Sequence, residues 1–381
     1  MSTLNRAFNI DDLATIARRR LPKGLYEFID RGAEDEVTME ENVTSMKRAY
    51  FHQRVGRDVS IRDTSTSLFG VRHSMPVGIG VTGFSGMLAY EGEYKLARAA
   101  AAAGVPYTLG NANFAPLEDI KRICGDLLWR QLYPLQPPVM AHYVQAAKDA
   151  GVRVLVITMD SPVAGNREYM YRNGFMPGMM NIRTWREMMT APHWFLGTVM
   201  RCQIKGGLPQ LADMPEGHRR FLGGKNTGAA MPIASFTWED VKALRRTWQD
   251  VLVLKGVSTP EDAKIAAECG VDGVIVSNHG GRSLDGCTPS FSALPAVVDA
   301  VSSKLTVMVD GGFKRGSDIV KAIALGASSV MVGRATTFGL AAAGEPGVAK
   351  ALTILGSEIS RTLALVGCRN LAELSRDLIQ M

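Results

Sequence analysis

The stretch "EDAKIAAECGVDGVIVS", residues 261–277, decides the fold, because it contains a helix, a glycine turn and a buried strand in that order. Gly270 suits the left-handed residue that ends a helix, and the apolar run after it predicts a strand covered on both faces. Three further segments repeat this arrangement, with Gly104, Gly151 and Gly326 in the same place. Strands that are apolar on both faces and alternate with helices predict a parallel sheet.

The number of strands indicates which kind of parallel sheet to expect. Eight candidates lie near residues 76–81, 106–110, 127–133, 154–159, 251–255, 273–277, 305–310 and 329–333. Eight βα units in 381 residues predict a (β/α)8 TIM barrel of the α/β class, a single domain over residues 1–381 with a helical N-terminal segment. A doubly wound open sheet is the alternative, but the only G-x-G-x-x-G match, at residues 78–83, overlaps the first predicted strand instead of following it.

Composition narrows the classes of function. A hydrophobic content of 46% can bury a large core, and the net charge of +6 is spread along the chain without a basic nucleic-acid-binding arm. The five cysteines are odd in number and lack C-x-x-C spacing, and the six histidines show no paired ligand spacing, so neither disulfides nor a metal site is predicted. With no signal peptide and no apolar run of about 18 residues, the sequence indicates a cytoplasmic protein without a spanning helix.

Polar and glycine residues follow almost every predicted strand. In a barrel these strand ends meet on the face where barrel enzymes place their chemistry. Each residue alone could belong to an ordinary turn, and only their joint placement indicates an active site. The residues concerned are Thr82, Gly83, Gly110, Asn111, Gln131, Tyr133, Thr158, Asp160, Lys255, Ser277, His279, Asp310, Gly312, Gly333 and Arg334.

The turns after the last two strands predict a phosphate site. Gly311, Gly312 and Gly333 allow backbone N–H groups to approach an anion closely, and the helices that follow add favourable dipoles. Lys314 or Arg334 supplies positive charge. Glycine pairs also occur in plain turns, but two such turns with a basic residue at each favour a phosphate-bearing cofactor.

The segment SNHGGRSLDG, residues 277–286, places a histidine at a strand end. His279 could act as a general base, because the pKa of histidine lies near working pH. Asp160 could orient the imidazole, and Arg167 and Arg282 could bind a substrate carboxylate. Lys255 could stabilise negative charge on a cofactor ring. The set indicates removal of a proton or hydride beside a carboxylate; the alternative for His279 is a hydrogen-bonded turn residue.

Motifs along nearly the whole chain closely resemble, in order, those of the FMN-dependent 2-hydroxy acid oxidase and dehydrogenase family. They are LPKGLYEF (21–28), GAEDE (32–36), QLY (131–133), TMDSPVAGNRE (158–168), LKG (254–256), SNHGGRSLDG (277–286), VDGGFKRGSD (309–318) and ALGASSVMVGR (324–334). Within the family, the sequence most resembles membrane-associated L-lactate dehydrogenase and (S)-mandelate dehydrogenase. The resemblance implies a barrel that binds FMN and assembles as a homotetramer.

The resemblance also implies a role for each residue at the strand ends. His279 would take the substrate hydroxyl or α proton, Asp160 would pair with it, and Tyr133 would contact the hydroxyl. Arg167 and Arg282 would hold the carboxylate. The implied contacts to the flavin ring or ribityl chain are Thr82, Gly83, Gln131, Thr158, Lys255 and Ser277. The implied ribityl and phosphate contacts are Asp310, Gly312, Lys314, Gly333 and Arg334.

Several positions depart from the family pattern. Phe28 replaces a tyrosine that helps bind the carboxylate; a lost hydrogen bond to a charged group weakens binding by about 1.5–3 kcal/mol unless something compensates. The usual Pro-Thr-Ala begins with Val81 and ends with Gly83 here, Gly110 replaces a serine, and Lys314 replaces an arginine. The apolar ring and the added room favour a larger, mandelate-like substrate. The expected substrate pocket consists of Phe28, Gly83, Tyr133, Arg167 and Arg282.

A long insertion follows the fourth strand. About ninety residues separate Asp160 from Val251, which predicts an insertion over the active-site face at residues 168–230. Its middle combines Met176, Met179, Met180, Met188, Met189, Met200, Trp185, Trp194 and Phe195 with Arg183, Arg186, Arg201 and Lys205. This composition suits a surface that enters a membrane interface, and the alternative is a methionine-rich helix packed on the barrel or on another subunit. The resemblance favours peripheral attachment to the inner face of the cell membrane.

The sequence as a whole predicts an FMN enzyme that oxidises a mandelate-like or lactate-like (S)-2-hydroxy acid to the 2-oxo acid. We expect its electrons to pass to a quinone-type membrane acceptor. The first alternative is a soluble oxidase that reduces oxygen to hydrogen peroxide. The second is an FMN-binding protein with redirected substrate chemistry, of which Phe28 would be the first sign; the intact His279, Arg282 and Lys255 argue against it.

Overall fold

A closed barrel of eight parallel strands forms the centre of the protein in the computed structural model, which describes residues 3–175, 182–205, 207, 210–215, 219 and 232–381. The strands are β1 (Val77–Ile79), β2 (Tyr107–Leu109), β3 (Leu128–Leu132), β4 (Val154–Thr158), β5 (Val251–Val257), β6 (Gly273–Val276), β7 (Thr306–Val309) and β8 (Ser329–Val332). Each pairs with the next in chain order, and β8 closes on β1. The predicted TIM barrel and its eight strands are confirmed.

Helices cover the outside of the barrel in the predicted alternation. Those that follow successive strands are Gly92–Ala103, Leu117–Cys124, Pro137–Asp149, Trp238–Thr247, Pro260–Glu268, Ser290–Val301, Gly316–Ala324 and Arg334–Ala343, with Glu345–Leu365 after the last and short turns at Ser85–Leu88 and Gly125–Leu127. Gly104, Gly151, Gly270 and Gly326 have φ angles between 65° and 107°. This left-handed conformation ends each helix at a position where a side chain would be strained, as predicted.

A hairpin closes the amino-terminal end of the barrel. Its strands, Thr66–Leu68 and Val71–His73, pair antiparallel, and the Phe69 ring at the turn lies 5.8 Å from the Trp129 ring. Leu68 packs with side chains from inside the barrel. These are Trp129, Val154, Val156, Val253, Ile275, Met308 and Met331. This end of the barrel is therefore packed as a hydrophobic core.

The N-terminal segment is helical and packs on the barrel helices. Its helices are Thr3–Arg6 (3-10), Ile10–Arg20, Lys23–Asp30 and Val37–Arg48. Asn9 and Asp12 form a capping box at the start of the second of these, which packs against Arg334–Ala343. After the 3-10 turns Leu371–Glu373 and Arg376–Leu378, strand Ile379–Gln380 pairs with Tyr50–Phe51 and joins the end of the chain to this segment.

The insertion lies between β4 and helix Trp238–Thr247. Its described helices are Glu168–Asn173, Ile182–Met189, Pro192–Trp194, Phe195–Met200 (π-helical) and Arg201–Lys205. Met176, Met179, Met180 and the Arg183 side chain lie outside the described residues. Within the described ranges, none of the helices combines the length and the hydropathy that a bilayer crossing requires. In the same part of the chain, no three His, Cys, Asp or Glu side chains converge as metal ligands would.

Candidate active site

His279 lies at the carboxyl-terminal mouth of the barrel between an acidic and a phenolic partner. Its Nδ1 is 2.8 Å from Oδ1 of Asp160, just past β4, and 3.2 Å from Oγ of Ser161. Its Nε2 is 3.2 Å from Oη of Tyr133, just past β3. The structure thus brings together three predicted site residues, and it adds Ser161, which the sequence analysis did not single out.

Lys255, on β5, is buried between two carboxylates. Its ammonium donates to Oγ of Ser277 at 2.8 Å and lies 3.2 Å from Oδ2 of Asp310 and 3.8 Å from Oδ2 of Asp160. Burial favours the neutral amine, but the two carboxylates outweigh it and raise the pKa of Lys255 above its ordinary value. Burial likewise opposes ionisation of Asp160, but Lys255 and His279 lower the pKa of this carboxyl far below its ordinary range. Both groups are therefore charged at neutral pH.

The charge on Asp160 decides which nitrogen of His279 carries a proton. An ionised carboxylate only accepts hydrogen bonds, so Nδ1 carries the hydrogen that points towards Asp160. Burial lowers the pKa of His279 below its ordinary value, and the Asp160 carboxylate offsets this effect only in part. The imidazole is therefore neutral near pH 7, with an unprotonated Nε2 on the side of Tyr133. Such a ring nitrogen can act as a general base.

Two neighbouring arginines face the cavity beside His279. Arg282 donates from Nη1 to the carbonyl of Arg31 at 2.6 Å and from Nη2 to that of Phe28 at 2.7 Å. Arg167 donates from Nε to the carbonyl of Arg282 at 3.2 Å, and burial together with the Arg282 cation lowers the pKa of Arg167 to about 10. No carboxylate of the described residues forms an ion pair with either guanidinium. The pair can therefore bind an external carboxylate.

A network of buried amides supports His279. This residue has a φ of +58°, which is uncommon for a residue with a side chain. The amide of the adjacent Asn278 exchanges two hydrogen bonds with Asn42, at 2.8 and 2.9 Å. Asn42 belongs to helix Val37–Arg48, so the N-terminal segment fixes this strand end. The sequence analysis missed Asn42. Its side chain is buried on one face of the helix, but nothing in the local sequence indicates that this face is covered.

A cavity of about 550 Å³ extends from His279 to the ends of β7 and β8. Its lining includes Gln131, Asp310 and Arg334, and each has a buried polar atom without a hydrogen-bond partner, namely Oε1, Oδ1 and Nε. Gly312 has a φ of +81° and its backbone approaches closely, since an added Cβ would lie 3.1 Å from Cβ of Asn42. The volume suits a small-molecule site, and the orphaned polar atoms call for a polar ligand. These features fit FMN, which has a polar ring edge, a ribityl chain and a phosphate.

The predicted contacts to the flavin ring fall into two groups. Thr82 and Gly83 line the cavity directly. Thr158 is fully buried behind the wall, where its hydroxyl accepts from Nε2 of Gln131 at 2.8 Å. Ser277 is similarly buried behind Lys255 and accepts from its ammonium. Thr158 and Ser277 therefore orient two side chains that face the cavity.

The predicted phosphate residues gather at the other end of the cavity. Gly333 and Arg334 line it, and Nη2 of Arg334 donates to the carbonyl of Gly280 at 3.0 Å. Burial and the Arg282 cation lower the pKa of Arg334 to about 10. Lys314 borders the cavity as well, but its ammonium lies 2.9 Å from Oδ1 of the exposed Asp11. A bound phosphate would compete with this carboxylate for Lys314.

Two departures from the family pattern compensate each other. A Cβ added to Gly110 would lie 2.8 Å from Cγ2 of Val81 and 3.2 Å from Oε1 of Gln131. The Val81 side chain thus occupies the space that a larger residue at position 110 would need. Gly110 is the residue that this packing requires.

Phe28 forms an aromatic wall beside the arginines. Its ring centre lies 6.3 Å from that of Phe84 and 6.0 Å from that of Phe175, and the Arg282 guanidinium lies 5.6 Å from it. Phe28, Phe84 and Gly83 all line the cavity. An apolar wall next to a carboxylate site can accommodate a substrate with a bulky apolar group.

In the described part of the insertion, one side packs on the barrel and the other faces solvent. Trp194, which the sequence analysis grouped with the membrane surface, is buried and donates to the carbonyl of Met87 at 2.8 Å. Met188 and Phe195 are half-buried. The exposed side chains, which form the insertion surface, are Trp185, Met189, Leu196, Met200 and Ile204 together with Arg186, Arg201 and Lys205.

Known proteins are similar to this chain over nearly its whole length. A family model described as FMN-dependent dehydrogenase matches residues 17–381. The L-lactate dehydrogenase of Caulobacter vibrioides (strain NA1000 / CB15N) is 40% identical over 371 residues, which are 97% of this chain and 96% of that protein. The crystal structure of the monotopic membrane protein (S)-mandelate dehydrogenase has a TM-score of 0.92 at 39% identity, over 98% and 99% of the two chains. Mandelate oxidase with 3,3-difluoro-2-hydroxy-3-phenylpropionic acid has a TM-score of 0.81 at 34% identity, over 98% of each chain.

Proposed function

This chain belongs to the FMN-dependent dehydrogenase family, and from that premise we propose that it oxidises a bulky, mandelate-like (S)-2-hydroxy acid and passes the electrons to a membrane quinone. The broader activity, FMN-dependent oxidation of 2-hydroxy acids such as lactate or mandelate, follows from family membership. The observation that carries the proposal is the pair of half-buried arginines, Arg167 and Arg282, beside the unprotonated Nε2 of His279. This combination suits a substrate with a carboxylate next to the carbon that is oxidised.

The side chains around His279 would have separate roles in binding the substrate and in transferring its proton. Arg167 and Arg282 would bind the carboxylate and so hold the hydroxyl-bearing carbon near the imidazole. Tyr133 would contact the hydroxyl. Nε2 of His279 would take a proton from the substrate, and the Asp160 carboxylate would stabilise the imidazolium that forms. FMN, when bound, supplies the acceptor for two electrons.

The cavity wall would hold the cofactor through its orphaned and charged groups. Lys255 keeps its charge at neutral pH and would stabilise negative charge on the flavin ring. Gln131, supported by Thr158, would meet the polar ring edge. The proposed ring and ribityl contacts are Thr82, Gly83, Gln131, Lys255 and Asp310, with Thr158 and Ser277 behind them. The proposed phosphate contacts are Gly312, Lys314, Gly333 and Arg334.

The insertion surface supports a membrane acceptor. It combines exposed aromatic and aliphatic side chains with three exposed basic residues, a composition that favours an interface with anionic lipid. The similar (S)-mandelate dehydrogenase is described as a monotopic membrane protein. We therefore propose peripheral attachment to the inner face of the cell membrane through residues within 168–230. The homotetramer remains a prediction, which sedimentation of the detergent-solubilised protein would test.

The experiment that tests the substrate is anaerobic mixing of the holoenzyme with (S)-mandelate, lactate, glycolate and long-chain (S)-2-hydroxy acids, followed by flavin absorbance. We expect mandelate to bleach the flavin fastest, and His279→Gln to keep FMN but lose bleaching. Bleaching by glycolate at the same rate as mandelate would contradict the bulky substrate. Bleaching by none of the acids, in a protein that holds FMN, would favour redirected chemistry.

The acceptor is tested on the reduced enzyme. We expect slow return of flavin colour in oxygen and fast return with a soluble quinone analogue. Fast return in oxygen with release of hydrogen peroxide would identify an oxidase instead, an alternative that the similarity to mandelate oxidase keeps open.

Membrane attachment is tested by vesicle sedimentation. Trp185→Ser with Met189→Ser and Ile204→Ser should release the protein from vesicles that contain anionic lipid. The matched control is Val55→Ser with Ile61→Ser, because both residues are highly exposed but lie outside the insertion. Equal sedimentation of the two variants would contradict the insertion surface as the attachment site.

A further inference from the structure

Asp213, near the end of the insertion, is buried against the loop that follows β2. Its Oδ2 lies 2.9 Å from Nη2 of Arg130 on β3 and accepts from Nδ2 of Asn113 at 3.0 Å. Its Oδ1 accepts from the backbone N–H of Leu117 at 3.0 Å. The side chains of Asp213 and Arg130 are 7% and 0% exposed, so each buried charge depends on the other.

The loop that Asp213 holds forms one wall of the FMN cavity. Gly110, Asn111 and Ala112 line this cavity. The side-chain amide of Asn113 that donates to Asp213 also donates to the carbonyl of Gly110 at 2.7 Å. In addition, the carbonyl of Asn113 accepts from the backbone N–H of residue 212 at 3.1 Å. Two consecutive residues of the insertion are therefore bonded to the base of the cavity wall.

The same loop supports the substrate end of the cavity. The carbonyl of Ala112 accepts from the backbone N–H of Phe84 at 2.8 Å, and Phe84 lies against Phe28 in the aromatic wall. On the outer side, Oη of Tyr143 donates to the carbonyl of Asn111 at 3.2 Å. The Tyr143 ring in turn lies 5.1 Å from the guanidinium of Arg130. Both sides of the loop are thus tied to the buried ion pair.

We propose that Asp213 is a positioning residue that fixes the loop over residues 110–112, and that FMN affinity and substrate affinity therefore depend on how the insertion is seated. Asp213 does not line the cavity, and it acts through Asn113 and the loop. His279, Asp160 and Lys255 follow or lie on other strands, so the reaction at saturating substrate does not depend on this contact. The substrate half of the inference rests on the proposed function, whereas the FMN half does not.

The test uses the holoenzyme of a double variant, Arg130→Met with Asp213→Ala. This variant leaves no unpaired buried charge but removes the hydrogen bonds to Asn113 and Leu117. Loss of hydrogen bonds in a buried network should raise the dissociation constant of FMN and the KM for the acid by about tenfold each. The kcat per bound flavin should stay within about twofold, because the proton-transfer groups are untouched. Released flavin is measured by its fluorescence after dilution, and KM and kcat by steady-state rates.

A purely structural role gives a different result. Wild-type FMN affinity and KM in the folded double variant, or a fall in kcat at unchanged KM, would overturn the proposal. If the double variant does not fold, Asp213→Asn decides by the same readouts, since its carbonyl can still accept from Leu117. Val241→Ala, in the buried face of helix Trp238–Thr247, is the control that lowers the melting temperature without touching the loop. FMN release needs no substrate, so it tests Asp213 even if none of the acids reduces the enzyme.

Discussion

The two ends of the barrel use buried space in opposite ways. At the amino-terminal end, Leu68 and Trp129 belong to an apolar cluster with side chains from the barrel interior. At the carboxyl-terminal mouth, comparable burial encloses Lys255 between Asp160 and Asp310. Burying apolar surface stabilises the fold, whereas burying charges has a desolvation cost that their pairing must offset. We therefore expect substitutions at the apolar end to change the free energy of unfolding, and substitutions at the mouth to change the rate of the proposed reaction.

Lys255→Met should have the largest effect and should act on reactivity. Removing the ammonium takes away the positive charge that we propose lies beside the flavin ring, and it leaves the carboxylates of Asp160 and Asp310 without their shared cation. We expect the anaerobic rate of flavin reduction to fall about 100- to 1,000-fold, as for the loss of other charge-stabilising groups. Stopped-flow absorbance measures this rate. A decrease of less than tenfold in a variant that retains FMN would contradict the role of Lys255.

Leu68→Ala should have the opposite effect, lowering stability without changing the reaction. It leaves a cavity in the apolar cluster, so the free energy of unfolding should fall by about 2–5 kcal/mol. The rate of flavin reduction and the KM should not change, because Leu68 lies at the far end of the barrel from His279. Denaturant titration and stopped-flow kinetics on the same sample provide the comparison. An altered KM would show that the ends are coupled.

Gly110→Ala tests packing at the mouth. The added methyl would contact Val81 at 2.8 Å, and overpacking of this kind costs about 1–3 kcal/mol. We expect FMN to bind more weakly, since Gly110 lines the cavity. Adding Val81→Ala should restore binding, because it removes the side chain that occupies this space. Failure of the double variant to recover FMN affinity would mean that position 110 affects FMN by another route.

Acid stability should depend on His73 in the amino-terminal hairpin. Burial lowers the pKa of His73 from 6.5 to about 4. Above pH 6.5 the ring is neutral in both states, and between pH 6.5 and about 4 only the unfolded chain takes up the proton, so stability falls as the pH falls. His73→Phe should lose this part of the pH dependence in denaturant titrations. An unchanged pH profile would exclude His73 as the cause.

The smallest expected effect concerns the histidine at the other end. Burial lowers the pKa of His279 as well, so the base form persists below pH 6.5. The acid limb of kcat/KM should therefore lie below the ordinary value for histidine. Arg167→Met removes one of the nearby cations that favour the neutral ring, and its acid limb should move towards higher pH. A limb above pH 6.5 in the wild-type enzyme would contradict this assignment.

Local sequence patterns are sufficient to predict the barrel and to predict which strand-end residues of the candidate site lie together. Apolar runs after Gly104, Gly151, Gly270 and Gly326 located four of the strands, because a helix end and a strand buried on both faces leave signals within a few residues. Once the strands are assigned, the proximity of His279 and Asp160 follows, because each residue comes just after the carboxyl end of a strand. The parallel barrel itself makes strand ends converge.

Contacts between distant segments could not be predicted in this way. Asn42 pairs with Asn278 across 236 residues, and neither amide has a local feature that points to the other. Asp213 and Arg130 come from the insertion and from β3, and sequence spacing says nothing about their approach. Trp194 is an aromatic residue of the kind found at membrane interfaces, but its side chain packs inward. The identity of an aromatic residue does not indicate whether the helix face on which it lies is covered or exposed.

The bonds that hold Arg282 make the N-terminal segment part of the proposed substrate site. Its guanidinium is fixed by the carbonyls of Phe28 and Arg31, which lie about fifty residues ahead of the first barrel strand. A truncation that removes residues 1–31 should therefore lose substrate binding, and it should also lower the stability, because Ile10, Leu13 and Leu25 belong to the buried core. Proteolytic loss of residues 1–31 would remove both carbonyls and leave the Arg282 guanidinium without these two hydrogen bonds. Inactive preparations of this enzyme should be checked first for an intact N-terminus.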